Sequence, residues 1–250
     1  MTLVHPLRTV RLTLEYDGTH FVGWQRQAQG RSVQAEVERA VAALTQAPAR
    51  VVAAGRTDAG VHALGQVAHF RTTSSLPLER IVAGLNALLP PDVAVREAAE
   101  APAQFHARRD ARFRVYRYVI LCRPTPSALL HPYAYHVRAS LDREAMRQAL
   151  TRLTGAHDFR AFCALGTPSG SSGCRLLHAD LAERGDLLLF TFAADRFLRH
   201  MVRMMVGTLL RVGRNALSPE DVTRFLASGS GGSAGPATPP QGLYLVYVGY

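Results

Sequence analysis

Lysine is absent from this 250-residue chain: all 29 basic side chains are arginine, against 19 acidic ones, for a formal net charge of +10. That leaves planar guanidinium forks in place of flexible point charges, and such forks suit phosphate and base recognition. A general compositional bias gives the same absence, so the net charge is the firmer clue. It points to a polyanionic partner, nucleic acid first and an anionic membrane surface second. Cysteine is scarce: Cys122, Cys163 and Cys174 are odd in number and far apart. With no C-x-x-C pair, a disulfide framework or a cysteine zinc site is not expected, and a reducing cytoplasm fits. No apolar run reaches the ~18 residues that cross a bilayer, and Arg8 and Arg11 interrupt any signal-like start. His62, His69, His106, His157 and His200 show no H-x-x-x-H spacing, so no metal is expected.

What is present supports a packed core. Hydrophobic residues make up 48% of the chain, enough for one large domain or two small ones. "TVRLTLEYDG" (9–18) alternates as a strand, and "SVQAEVERAVAAL" (32–44) sets Val33, Val37, Ala40, Val41 and Leu44 on one helical face behind an N-capping Ser32. "RVVAAGRT" (50–57) and "GQVAHFRT" (65–72) read as strands around a turn. "LERIVAGLNALL" (78–89) is a helix stopped by Pro90 and Pro91, and "DVAVREA" (92–98) closes the half. The order β-α-β-β-α-β is ferredoxin-like, and the class is α+β. A second half, 105–250 after 1–104, repeats the plan. It has a strand at 113–121, a helix at 142–153, a hairpin around Gly185 and Asp186, helices at 197–213 and 218–228, and a closing strand at 242–250. The stretches 166–173 and 229–240, rich in glycine, serine and proline, read as loops.

Three places carry candidate chemistry. In "AAGRTDAGVHALGQVAHF" (53–70) a lone carboxylate, Asp58, stands between Arg56 and Gly60. An extended lead-in projects Arg56 and Asp58 to the same face, and a nearby guanidinium favours the ionised carboxylate, a nucleophile or general base. A turn aspartate bonding its own backbone looks the same in sequence. In "FLRHMVRMMVG" (197–207) a continuous helix sets Arg199, Arg203 and Gly207 in one row. Such a row is either a solvated stripe or a place where an anion comes close. In "RFRVYRYVI" (112–120) Arg114, Tyr116 and Tyr118 share a strand face, either ordinary sheet filling or a platform on which RNA bases stack.

Taken together, "YDGTHFVGWQRQ" (16–27), "GRTDAGVHA" (55–63), "LNALLP" (85–90), "FHAR" (105–108), "YRY" (116–118), "GAHDFRAF" (155–162), "FLRHMVRMMVG" and "GLYLVYV" (242–248) resemble the TruA family of tRNA pseudouridine synthases, in order and over nearly the whole chain. The resemblance implies two tandem ferredoxin-like halves, their sheets joined side by side and their helices on one side, with an active-site cleft between them. It implies isomerisation of uridine to pseudouridine at positions 38, 39 and 40 of the tRNA anticodon stem-loop. It further implies a homodimer, with no cofactor and no metal. The family's catalytic aspartate falls on Asp58, the arginine that pairs with it on Arg203, and the base-contacting tyrosine on Tyr116; Arg56 is expected to contact the substrate. One departure is the glycine-serine run around Gly231 and Gly232, where the family commonly carries an arginine. Two rivals remain at this level. A non-catalytic RNA-binding protein of paired ferredoxin-like domains needs no Asp58, and a hydrolase would use Asp58 with His62 to cleave its substrate.

Overall fold

Alternation governs the first strand, β1 (Arg8–Tyr16): Val10, Leu12, Leu14 and Tyr16 are buried while Arg11, Thr13 and Glu15 stay at least partly exposed. A computed structural model describes residues 6–164, 172–229 and 231–250. Contacts divide the chain into two units, Met1–Arg112 with Leu245–Tyr250, and Phe113–Tyr244.

In the first unit β1 is followed by α1 (Val33–Thr45), β2 (Val52–Ala53), β3 (His62–Thr72), α2 (Leu78–Leu88) and β4 (Val93–Ala101). All pairings are antiparallel, in the order β4-β1-β3-β2. Ser32 caps α1 through its side chain, which accepts from the Ala35 N–H. Val33, Val37, Ala40 and Val41 of α1, with Ile81 and Leu85 of α2, are buried along with Leu12, Leu14 and Phe70 of the sheet. β10 (Leu243–Gly249) lies beside β3, and its residues from Leu245 on belong to this unit.

The second unit holds β5 (Phe113–Cys122), β6 (Tyr135–Val137), α3 (Arg143–Leu153), β7 (Gly155–Asp158), β8 (Gly173–Arg184), β9 (Leu187–Ala194), α4 (Met201–Gly213) and α5 (Pro219–Ser228). Its strands run β5-β9-β8-β7, with β6 parallel to β5. Tyr118, Ile120, Phe190 and Phe192 are fully buried, as are Met146, Met205, Leu209 and Val222 from the helices. Ser218 and Asp221 form a capping box at the start of α5, with Pro219 in its first turn.

Three expectations are corrected. β2 is only two residues long, and 54–61 is loop rather than the end of a strand over 50–57. α4 starts at Met201, not at 197, because His200 takes a left-handed conformation (φ 62°) through which a right-handed helix does not propagate. The Arg199 carbonyl accepts from the Ala164 N–H instead of a helical donor. Arg199 therefore lies in a turn, and no helical row joins it to Arg203. β6 and β7 are additions that the repeat plan did not contain. Of the two expected loops, 166–173 lies up to 171 outside the described residues, and the other has no regular element from 231 until a short turn at Pro240–Gly242. Among the described residues no helix is long and apolar enough to cross a membrane.

Candidate active site

Asp58 stands on the loop between β2 and β3, and its neighbours repeat an in-out rhythm without being a strand. Arg56 is exposed, Thr57 is buried and Asp58 is partly exposed. The rhythm agrees with Arg56 and Asp58 pointing away from the core, although the extended lead-in is irregular. Arg56 forms no ion pair among the described residues.

A second loop, residues 17–24, backs this turn. The Trp24 N–H donates to the Thr57 carbonyl at 3.1 Å, and the Gly60 N–H to the Phe21 carbonyl at 3.3 Å. The turn closes on itself through Val61 N–H to the Asp58 carbonyl, at 3.2 Å. Gly23 makes the close approach possible: its φ is +108°, and a Cβ there would lie 2.7 Å from the Thr57 oxygen. Trp24 is buried with its ring 6.1 Å from that of Tyr16. The motif that opens the chain's chemistry, "YDGTHFVGW", is thus the cradle of the aspartate turn.

Below the turn lies a buried polar cluster. The Tyr16 hydroxyl is 2.8 Å from Thr57 Oγ1. The Gln66 amide nitrogen donates to the Tyr16 oxygen at 3.3 Å and to the Gly55 carbonyl at 2.8 Å. Burial pushes the Tyr16 phenol up to about 12, against the opposing pull of its bonds to Thr57 and Gln66. His62, also buried, accepts the Gly18 N–H at Nδ1 (3.0 Å), with Asp17 Oδ1 3.1 Å from the same nitrogen. A ring so enclosed serves the loop rather than a reacting water, which argues against a hydrolase built on Asp58 and His62.

Tyr116 and Arg203 belong to the second unit. Tyr116 is 9% exposed and meets Phe197 edge-on, ring centroids 5.0 Å apart. Tyr118, its neighbour on the strand face, is a core residue whose hydroxyl donates to the Pro239 carbonyl at 2.7 Å. Burial holds its phenol well above the usual range. The face is therefore packed, not an open aromatic platform. Arg114 uses one terminal nitrogen on the Asp195 carbonyl.

Arg203 is gripped by one residue from three directions. Its Nε donates to the Thr238 carbonyl at 2.6 Å, while the Thr238 N–H and hydroxyl both donate to the Arg203 carbonyl at 3.1 Å. These bonds fix the Nε end of the guanidinium and the backbone of Arg203 to one residue. Gly207 admits this passing segment: a Cβ there would lie 2.4 Å from the Pro236 carbonyl. The space next to Gly207 holds backbone, so it does not receive an anion.

Thr57, Tyr16, Gln66 and Thr238 are not singled out by sequence reasoning. Only the two glycines of "YDGTHFVGW" signal that a backbone passes close by.

A family model described as "tRNA pseudouridine synthase" matches residues 13–110 and 149–250. A protein named tRNA pseudouridine synthase A from Syntrophotalea carbinolica is 46% identical over 244 residues, covering 98% of this chain and 97% of the relative. That of Geobacter sulfurreducens is 46% identical over 242 residues, covering 97% and 99%. That of Exiguobacterium sp. is 43% identical over 244 residues, covering 98% of both.

Proposed function

Because the chain belongs to the tRNA pseudouridine synthase family, we propose that Asp58 is the nucleophile with which it isomerises uridine to pseudouridine in tRNA, at positions 38, 39 and 40 of the anticodon stem-loop. The observation that carries the role of Asp58 is its turn, pinned from behind by Trp24, Phe21 and Gly23 while the carboxylate stays partly exposed. A rigid turn holds a reacting group at the precision that catalysis demands.

The chemistry asks for little else. The N1–C1′ bond breaks, the base turns, a C5–C1′ bond forms, the C5 proton leaves and N1 gains one. Atoms and electrons balance within the substrate, so the reaction calls for no cofactor. Attack at C6 of the base and attack at C1′ of the ribose both use the same carboxylate. The uridine must leave its stack, and Tyr116 offers a ring beside it. Arg203 supplies a fork to hold a carboxylate or phosphate, and Arg56 an exposed charge for the RNA backbone. The reading includes a cytoplasmic location, in keeping with an odd number of widely spaced cysteines, Cys122, Cys163 and Cys174. The test is unmodified tRNA carrying tritium at uracil C5. Tritium release with intact RNA is expected from the parent, and none from Asp58→Asn, whose tRNA affinity stays near the parent's because phosphate contacts dominate binding. Turnover in that variant, or strand cleavage by the parent, would sink the reading.

We further propose that the chain works as a homodimer. On the face of β5 and β9 away from the buried tyrosines, Val115 pairs with Ala193, Arg117 with Thr191 and Val119 with Leu189, all of them only partly buried. A mostly apolar patch of this kind suits a two-fold interface. Sedimentation at micromolar concentration is expected to give twice the monomer mass, and Leu189→Arg to shift it toward the monomer. A fully active monomer would rule the dimer out.

A further inference from the structure

Thr57 touches the aspartate turn from inside, and its hydroxyl ends a chain of hydrogen bonds that begins at Gln66. An amide nitrogen carries two hydrogens and accepts nothing. Gln66 Nε2 faces the Gly55 carbonyl, which fixes the orientation of the amide, since the reverse would set two oxygens against each other. The second hydrogen of the same nitrogen goes to the Tyr16 oxygen. Tyr16 accepts on that side, and its hydroxyl shares a hydrogen bond with Thr57 Oγ1 in which either oxygen can donate. The bonds thus run in series from Gln66 through Tyr16 to Thr57. The arrangement has a cost: among the described residues Gln66 Oε1 is buried with no partner. An orphan acceptor of this sort is destabilising, and its persistence calls for an explanation other than stability.

The backbone shows how the chain of bonds is aimed. The register of β1 against β3 shifts between Leu14 and Tyr16, which sets Tyr16 opposite Ala63. Irregularities of this type re-aim a side chain, and they collect next to active sites. Thr57 is buried and anchored at both ends, its carbonyl by the Trp24 N–H and its hydroxyl by Tyr16. Asp58 follows it directly in the chain. Burial keeps the Tyr16 phenol protonated across neutral pH.

We propose that Gln66, Tyr16 and Thr57 form a positioning unit, in which the bond between the Tyr16 and Thr57 hydroxyls sets the placement of the Asp58 carboxylate for attack. The unit rests on the reading of Asp58 as nucleophile. It explains why a tyrosine and a glutamine lie in a pocket where apolar residues would pack more cheaply, and why the turn residue before the aspartate carries a hydroxyl.

The experiment measures single-turnover tritium release and tRNA affinity separately, for Thr57→Val, Thr57→Ser, Tyr16→Phe, the double variant Tyr16→Phe/Thr57→Val, and Asp58→Asn. Thr57→Val keeps the shape of the side chain and removes its oxygen. Its chemical rate is expected to fall about tenfold, the rate equivalent of one lost hydrogen bond, with tRNA affinity within about twofold of the parent. Thr57→Ser restores the oxygen and is expected to recover the rate to within about threefold. Since the unit works in series, the double variant is expected to be no slower than the slower single variant. The proposal is overturned if Thr57→Val reacts like the parent, if Thr57→Ser is as slow as Thr57→Val, if the loss appears in affinity rather than rate, or if the two single effects multiply. The valine–serine pair decides alone should Tyr16→Phe fail to fold. Asp58→Asn separates the two levels: an active Asn variant removes the nucleophile itself, whereas an inactive one beside a parent-like Thr57→Val removes only the positioning unit.

Discussion

Tyr116 meets Phe197 edge-on and is 9% exposed. On the function proposed above a base laid against its ring gains stacking of about 1–3 kcal/mol, so Tyr116→Leu is expected to lower kcat/KM by roughly 5- to 150-fold. Tyr116→Phe keeps the ring and is expected to retain most of the turnover if stacking is the whole role. If the hydroxyl carries the C5 proton, the Phe variant binds tRNA normally and releases no tritium. Parent-like kinetics in both variants would reduce Tyr116 to strand filling. Thr238 takes the Nε and the carbonyl of Arg203, so the fold itself orients the side chain.

The loop 17–24 is the element on which the aspartate turn depends. Gly23→Ala would demand a positive φ of an L-residue and bring a Cβ against the Thr57 oxygen. The strain alone is of order 1–3 kcal/mol. The expected result is a melting temperature lower by several degrees together with a larger loss of turnover than that loss of stability explains. A calorimetric scan beside the tritium assay checks it, and unchanged kinetics would disconnect the loop from catalysis. Elements with local causes are legible in the sequence: β1 from its alternation, α1 from Ser32 and a 3.6-residue stripe, the β8–β9 hairpin from Gly185, α5 from Ser218 and Pro219. The start of α4 is not, because residues 197–200 carry helix-compatible side chains and only the bond from Ala164 to Arg199 and the left-handed His200 end the pattern. β6 and β7 are short, and each exists through a partner strand distant in sequence. The same reason hides the positioning unit. Asp58 announces itself as a lone carboxylate among arginines, whereas Thr57 is one threonine among many until Tyr16, 41 residues earlier, is found against it.

Taken as one molecule, the chain is an arginine-only polycation, and its affinity for tRNA is expected to fall log-linearly with salt. A protein with several phosphate contacts loses roughly two or more orders of magnitude between about 50 and 200 mM salt, and a filter-binding series reads the slope directly. A flat series would count against an extended basic surface. The first unit also has a peculiar completeness. Its strands from residues 8 to 101 are finished by β10: the Arg112 N–H donates to the Gly249 carbonyl at 2.8 Å, and the Tyr250 hydroxyl to the Ala107 carbonyl at 2.7 Å. On the ribosome those closing residues appear only after all of 113–244 has been made, on the order of ten seconds at roughly 5–20 residues per second. Throughout that interval the sheet next to the aspartate turn keeps an unpaired edge along β3. The nascent chain therefore carries its aspartate turn long before it has a finished scaffold, and a chain broken off early exposes a sticky strand to its neighbours.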